Sequence, residues 1–252
     1  MMVHENKNIG LVILAAGKGT RLNCVDKPKV MLEIGGKPIV SYVVETLFKA
    51  GFIKEQIVLV VGFQKQKVKD YFGDRVVYAD QDEQLGTAHA TFVGMQSLSE
   101  DVQNVLVIGG DDSAFYTEKT LSNFISRHIE EDATLSLLTA EPENFEAMGR
   151  VIRNEGGDFT KVLEKEQLIT EQKKIKEIST GTYCFNKKWF ETIFHEMKEI
   201  EGLGELGLNR AVEMAFDTKE KIQAIKLKNN SEWRGINTVK ELEDADFLKN
   251  NI

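Results

Sequence analysis

The stretch Gly10–Leu22, GLVILAAGKGTRL, decides the fold. Gly10 to Ala16 is a short, almost wholly apolar run bounded by glycines, the pattern of a strand buried on both faces. Gly17 and Gly19 follow it directly. In an open parallel sheet, ligands sit outside the carboxyl ends of the strands, so this loop is where a phosphate is expected. It is not a P-loop, because Gly19 and not Ser or Thr follows Lys18. Nor is it a dinucleotide fingerprint, since Leu22 stands where the third glycine belongs. What remains is a glycine turn flanked by Lys18 and Arg21, with Lys29 further on. Its amides can form an anion nest, or it is simply a tight connection.

Working outward, further short branched runs predict strands over Gln56–Val61, Val76–Ala79, Asn104–Ile108 and Thr134–Leu138. Helical spacing predicts helices between them. In Ile39–Ala50 the residues Val40, Val43, Val44, Leu47 and Phe48 share one face, and Gly51 is placed to end the helix. Helices are also predicted over Thr87–Leu98 and Leu121–His128. The alternation marks an α/β protein with a Rossmann-like, mostly parallel mixed sheet flanked by helices. Beyond residue 140 extended pieces (150–153, 160–163, 177–185, 222–227) mix with helices over 189–197 and 206–216. A capping box at Thr238–Glu241 opens a last helix. Linkers and repeats are absent, so a single domain over 1–252 is expected: a nucleotide-binding half at about 9–115, a second half at about 116–237, and a C-terminal helix at 238–250. The charged stretch 164–177 reads as a solvated loop or helix face.

Composition removes several function classes. Forty acidic residues against 32 basic give a net charge of −8, which argues against a nucleic-acid binder that works by phosphate neutralisation. Cys24 and Cys184 lie far apart without CxxC spacing, which fits a reducing compartment. His4, His89, His128 and His195 match no zinc spacing. No apolar run reaches the length of a membrane span and the first ten residues hold no apolar signal core, so a cytoplasmic protein is expected.

Three further places carry chemistry. In QDEQLGTAHA (81–90), Gln81 offers both a donor and an acceptor, as a pyrimidine edge requires, and Gly86 permits close backbone approach. The bland alternative is a helix start capped at Thr87. NVLVIGGDDSAFY (104–116) ends a strand in Gly109, Gly110, Asp111 and Asp112, where a carboxylate could hold Mg²⁺ together with substrate phosphates. The alternative is an Asx-type turn. In the second half, Glu164 reads alone as a surface acid and Asn237 as a neighbour of the last helix's N-cap.

The string LAAGKGTRL followed by KPKVMLEIGGKPIVSYVVE closely resembles the signature of the nucleotidyltransferases that join an NTP to a sugar 1-phosphate. Within that group it is most similar to N-acetylglucosamine-1-phosphate uridyltransferase domains. The resemblance implies that Leu14, Ala15, Ala16 and Gly17 lie along the nucleotide and that Arg21 and Lys29 bind phosphates at the reaction centre. It implies that Gln81, Gly86 and Thr87 read the uracil, and that Asp111 and Asn237 hold Mg²⁺. The acceptor side would comprise Gly109, Gly110, Gly149, Glu164 and Ser179. Asp112 is a helper or merely exposed. The resemblance runs from about Ile9 to Leu242 and includes no hexapeptide repeats, so no acetyltransferase activity is expected.

The implied reaction is attack of a sugar 1-phosphate oxygen on the α-phosphorus of UTP, with loss of pyrophosphate. Ser179 stands where N-acetylglucosamine-type members carry asparagine, which leaves open glucose 1-phosphate with UTP or dTTP, or phosphocholine with CTP. A nucleotide-sugar sensor without turnover is a third reading, opposed by the joint presence of Arg21, Lys29, Asp111 and Asn237.

Overall fold

The computed structural model describes residues 8–19, 22, 24, 26–146, 148–199 and 204–251. The first strand, β1 (Ile9–Ala15), lies inside a seven-stranded sheet. In chain order the sequence continues with β2 (Glu33–Ile34), β3 (Lys37–Pro38), α1 (Ile39–Lys49), β4 (Ile57–Val61), α2 (Lys65–Phe72), β5 (Val77–Asp80), α3 (Thr87–Met95), β6 (Asn104–Gly109) and α4 (Glu118–Glu130). Then follow β7 (Leu135–Ala140), β8 (Arg150–Arg153), β9 (Phe159–Leu163), β10 (Ile178–Asn186), α5 (Lys187–Phe194), α6 (Asn209–Asp217), β11 (Ile222–Lys226) and α7 (Val239–Asn250). The spatial order is β11-β7-β10-β6-β1-β4-β5, drawn from both halves of the chain. Every pairing in it is parallel except those of β10, which runs antiparallel to β6 and β7. The expected mixed, mostly parallel sheet is therefore present.

Because strand side chains alternate, β1 feeds two apolar layers. Leu11, Ile13 and Ala15 pack with Val43, Val44 and Leu47 of α1 and Leu121, Phe124 and Ile125 of α4. Val12 points the other way, joining Ala88 and Met95 of α3, Phe190 and Ile193 of α5, and Val212 and Ala215 of α6. A third cluster, Ile34, Ile39, Ala114, Ile236 and Ala245, seats the β2–β3 hairpin and α7 beside the end of β6.

Local signals explain several boundaries. Helix α1 ends as expected at Gly51: its N–H reaches Phe48 O at 3.0 Å and that of Phe52 reaches Leu47 O at 3.2 Å, a Schellman closure with Gly51 at φ 92°. Thr238 and Glu241 form the expected capping box of α7. Helix α2 carries no strong apolar stripe; only Val68 and Phe72 are buried, so periodicity does not reveal it. The stretch 164–177 is a loop with two 3-10 turns, but its last residue is not solvated. Glu177 is buried, accepts from Thr139 Oγ1 at 2.6 Å and is gripped by Arg153 through two hydrogen bonds at 2.8 and 2.7 Å. Burial opposes its ionisation, but these bonds outweigh it and hold its pKa below the usual glutamate value.

Candidate active site

A cavity of about 740 Å³ opens at the carboxyl ends of β1 and β6. Leu14, Ala16, Gly17, Lys18, Lys29, Gln81, Gly86, Thr87, Gly109, Asp111, Glu164 and Asn237 all line it. A second cavity of about 250 Å³ is walled by Gly149 and Ser179 and shares Glu164, Gly181, Tyr183 and Asn209 with the first. Two expected residues stand back from both. The Ala15 side chain is in the core, and Gly110 is packed under the loop, its N–H bonded to Leu14 O at 3.0 Å. Arg21 lies outside the described residues.

The centre of the site joins three distant segments. Lys29, on a 3-10 turn and only 9% exposed, directs Nζ onto Asp111 Oδ2 in a short contact and onto Asn237 Oδ1 at 2.9 Å. Asp111 comes from the end of β6. Asn237 comes from the entry to α7, where its N–H and that of Thr238 donate to Glu241 Oε2 at 2.7 and 2.8 Å. The cap of α7 thus fixes the backbone that carries Asn237, so its place beside the N-cap and its place in the cavity go together. A carboxylate oxygen and an amide oxygen converging on one cation are a hard-oxygen donor pair of the kind Mg²⁺ takes alongside phosphates.

Asp112, left open by its sequence, is not exposed. Its Oδ1 is buried with no hydrogen-bond partner among the described residues. Burial pushes its pKa well above the usual carboxylate range and the charge of Asp111 adds to the rise, while Lys29 works against it. A Cβ on Gly109 would lie 2.7 Å from Asp112 Oδ1, so glycine at 109 is what lets this carboxylate lie against the strand end.

One end of the cavity is built by the Gln81–Thr87 loop. The Gln81 side chain is buried, with Nε2 3.2 Å from Gly86 O and 3.0 Å from His89 Nδ1. Gly86 is required by the protein itself: at φ 104° a Cβ would meet the Leu206 backbone at 2.5 Å. Thr87 is not the cap of α3; its Oγ1 accepts from the Leu208 N–H at 3.0 Å, tying this loop to the approach to α6.

At the other end a polar chain runs from Ser179 to Glu164. Ser179 Oγ lies 3.2 Å from Tyr183 Oη, Tyr183 donates to Asn209 Oδ1 at 2.7 Å, and Asn209 Nδ2 donates to Glu164 Oε1. A register irregularity in β10 between Ser179 and Tyr183 brings both hydroxyls to one place. Burial, chiefly, pushes the Tyr183 pKa up to about 12, which keeps it a donor. Gly149 lies against the end of β9, where a Cβ would stand 2.5 Å from Leu163 O, beside Glu164. Sequence reasoning does not single out Tyr183 or Asn209. A tyrosine four residues after Ser179 and an asparagine opening a helical pattern are the only local signals.

A family model described as nucleotidyl transferase matches residues 11–249. The chain belongs to the nucleotidyl transferase family. Its match begins in β1 and ends in α7, so it spans every segment that builds the cavity. This nucleotidyl transferase is 36% identical over 234 residues to the bifunctional protein GlmU of Acetivibrio thermocellus, covering 93% of the chain and 50% of that relative. To the bifunctional protein GlmU of Symbiobacterium thermophilum it is 36% identical over 241 residues, 95% of the chain and 50% of the relative. It thus spans about half the length of these curated relatives. A solved structure from Bacillus anthracis, assigned as a glucose-1-phosphate thymidylyltransferase and complexed with sucrose, superposes with a TM-score of 0.79 at 20% identity, over 97% of this chain and 96% of that one. That likeness establishes the fold. Among the described residues no helix is long and apolar enough to cross a membrane.

Proposed function

We propose that this chain joins UTP to a sugar 1-phosphate, N-acetylglucosamine 1-phosphate first among them, to give a UDP-sugar and pyrophosphate in a Mg²⁺-dependent reaction. The observation that carries this reading is the convergence of Lys29, Asp111 and Asn237 in the one cavity that Gln81 and Glu164 also line. Two substrates laid end to end along the cavity would meet there. The nucleotide base faces Gln81, and its phosphates run over Gly17 and Lys18. The sugar lies against Gly149, Glu164, Ser179 and Tyr183. An oxygen of the acceptor phosphate attacks the α-phosphorus in line; the bond to the β-phosphate oxygen breaks and pyrophosphate leaves with that electron pair. Lys29 offsets the charge that builds on the transferring group, as a fixed cation in a poorly hydrated site does best. Mg²⁺ held by Asp111 and Asn237 supplies charge neutralisation of the phosphates.

The acceptor has a second reading, glucose 1-phosphate, favoured by Ser179: its hydroxyl is already turned to Tyr183 and offers no amide to an N-acetyl group. Pyrophosphate release over a grid of four NTPs and phosphorylated acceptors, with and without Mg²⁺, tests the whole proposal. Turnover of UTP with N-acetylglucosamine 1-phosphate that stops on chelation is the expected result. Binding of nucleotide with no reacting pair in the grid refutes it.

A further inference from the structure

At the base end of the cavity a set of hydrogen bonds bears on nucleotide choice, given the reading that Gln81 faces the base. A carboxamide has two N–H donors on one atom and two lone pairs on the other. The Gly86 carbonyl can only accept, so the Gln81 atom 3.2 Å from it must be Nε2. The same Nε2 lies 3.0 Å from His89 Nδ1. With a donor facing it, that ring nitrogen must be the acceptor, which places the imidazole proton on His89 Nε2. Both N–H groups of Gln81 are thereby used. Its Oε1 makes no hydrogen bond with any described residue, and the side chain, 4% exposed, lines the cavity.

Each member of this unit is held from a different element. The Gln81 N–H is bonded to Val61 O at 2.8 Å, continuing the β4–β5 ladder. Gly86 is pinned by the Leu206 backbone, with the Leu206 N–H on Leu85 O and the Ala88 N–H on Leu206 O, each at 2.7 Å. The His89 ring is stacked on Phe194 of α5 at 6.3 Å and 26°, and Phe194 is stacked in turn on Phe92 at 4.1 Å and 7°. The carboxamide therefore cannot flip without breaking two bonds and facing oxygen to oxygen at Gly86.

We propose that His89 is a positioning residue which, with the Gly86 carbonyl, holds Gln81 so that only its acceptor oxygen is offered to the base. A pyrimidine carrying N–H at the facing ring position, uracil or thymine, completes that bond. Cytosine presents a lone pair at the same position and leaves two acceptors opposed, the arrangement that gives strong discrimination when no protein group can rotate to relieve it.

The test compares kcat/KM for UTP and CTP, with the best acceptor from the grid, in the wild type, His89→Leu and His89→Asn. Leucine fills the space without an acceptor; asparagine sets an amide oxygen near the place of Nδ1. In His89→Leu the KM for UTP is expected to rise about tenfold with kcat nearly constant, and the UTP-to-CTP preference to fall by about as much or more, because one of two restraints on the amide is gone. In His89→Asn the preference is expected to return toward the wild-type ratio. An unchanged ratio in His89→Leu, or an asparagine variant no better than the leucine one, overturns the proposal. NMR of the ¹⁵N-labelled wild-type imidazole is an independent arm: a proton on His89 Nδ1 instead of Nε2 overturns it even if a variant fails to fold. If the wild type turns over no NTP, the parent reading fails; if it uses UTP and the ratios do not move, only the role of His89 fails.

Discussion

The two ends of the cavity are built by opposite strategies. At the end proposed for the nucleotide the residues sit in short, contiguous strings, 14–19 and 81–87, each on a loop that leaves a parallel strand and is held by backbone hydrogen bonds. At the end proposed for the acceptor, Glu164 follows β9, Ser179 and Tyr183 lie on β10 and Asn209 opens α6, and side chains join these four to one another, with Gly149 beside Glu164. The lesson is physical. A loop after a parallel strand starts from the sheet's own ladder, here with Leu206 and Leu208 as further anchors of the 81–87 loop, whereas a side-chain relay exists only when every contributing element has docked. Lys29, Asp111 and Asn237 come from three distant segments, and the bond between Lys29 and Asn237 joins positions 208 apart in the chain.

The contrast can be broken first at its centre. Lys29→Ala removes the buried cation between the two ends, and turnover is expected to fall on the order of 10²-fold or more, read by pyrophosphate release at saturating substrates. An equal turnover number would remove Lys29 from the mechanism. The next effect falls on the frame of the acceptor half. Arg153→Met leaves the buried Glu177 carboxylate unpaired, which costs about 3 kcal/mol of stability by the measure of other broken buried pairs. Denaturant titration checks this, and the double variant Arg153→Met with Glu177→Leu should recover part of the loss.

A smaller effect concerns pH. His128 is fully buried, its Nδ1 2.8 Å from Ser136 Oγ and its Nε2 3.2 Å from Asn104 Oδ1, and burial lowers its pKa to about 4. An unfolded histidine takes up a proton near pH 6.5, while the folded one resists until about pH 4. Between those values the unfolded state binds more protons, so stability falls as pH falls, by about 1.5 kcal/mol from pH 6.5 to 5. His128→Gln should flatten that part of the profile. A slope that the substitution does not change would assign it to other groups. The smallest effect sharpens the comparison directly. Tyr183→Phe cuts the relay in the middle and should raise the acceptor KM about tenfold while leaving the KM for UTP unchanged. Movement of both constants together would show that the ends are not separable.

Most of the nucleotide end is legible in the sequence, because its signals are local: an apolar run, glycines at its end, a glutamine loop ahead of a helix. The role of Gly86 is not, since the atom that excludes a side chain there belongs to Leu206, 120 positions away in the chain. Glu164 and Asn237 look like surface residues because nothing adjacent in sequence betrays a partner. Asp112 has no decisive local reading; its burial depends on Gly109 and on the strand β10 arriving beside β6. Helix α2 escapes for a different reason, as a helix with two buried residues leaves little periodicity to see.

By itself the sequence determined the alternation of strand and helix, the loop at the end of β1 and the family to which the chain belongs, because these rest on spacing over a few residues. Only the tertiary structure decided that Lys29 would stand between Asp111 and Asn237, that Gln81 would spend both N–H groups on Gly86 and His89, and that Ser179, Tyr183, Asn209 and Glu164 would form one chain. Those outcomes depend on hydrogen-bond geometry at the scale of a few tenths of an ångström between segments far apart in the chain, and such distances are set by packing.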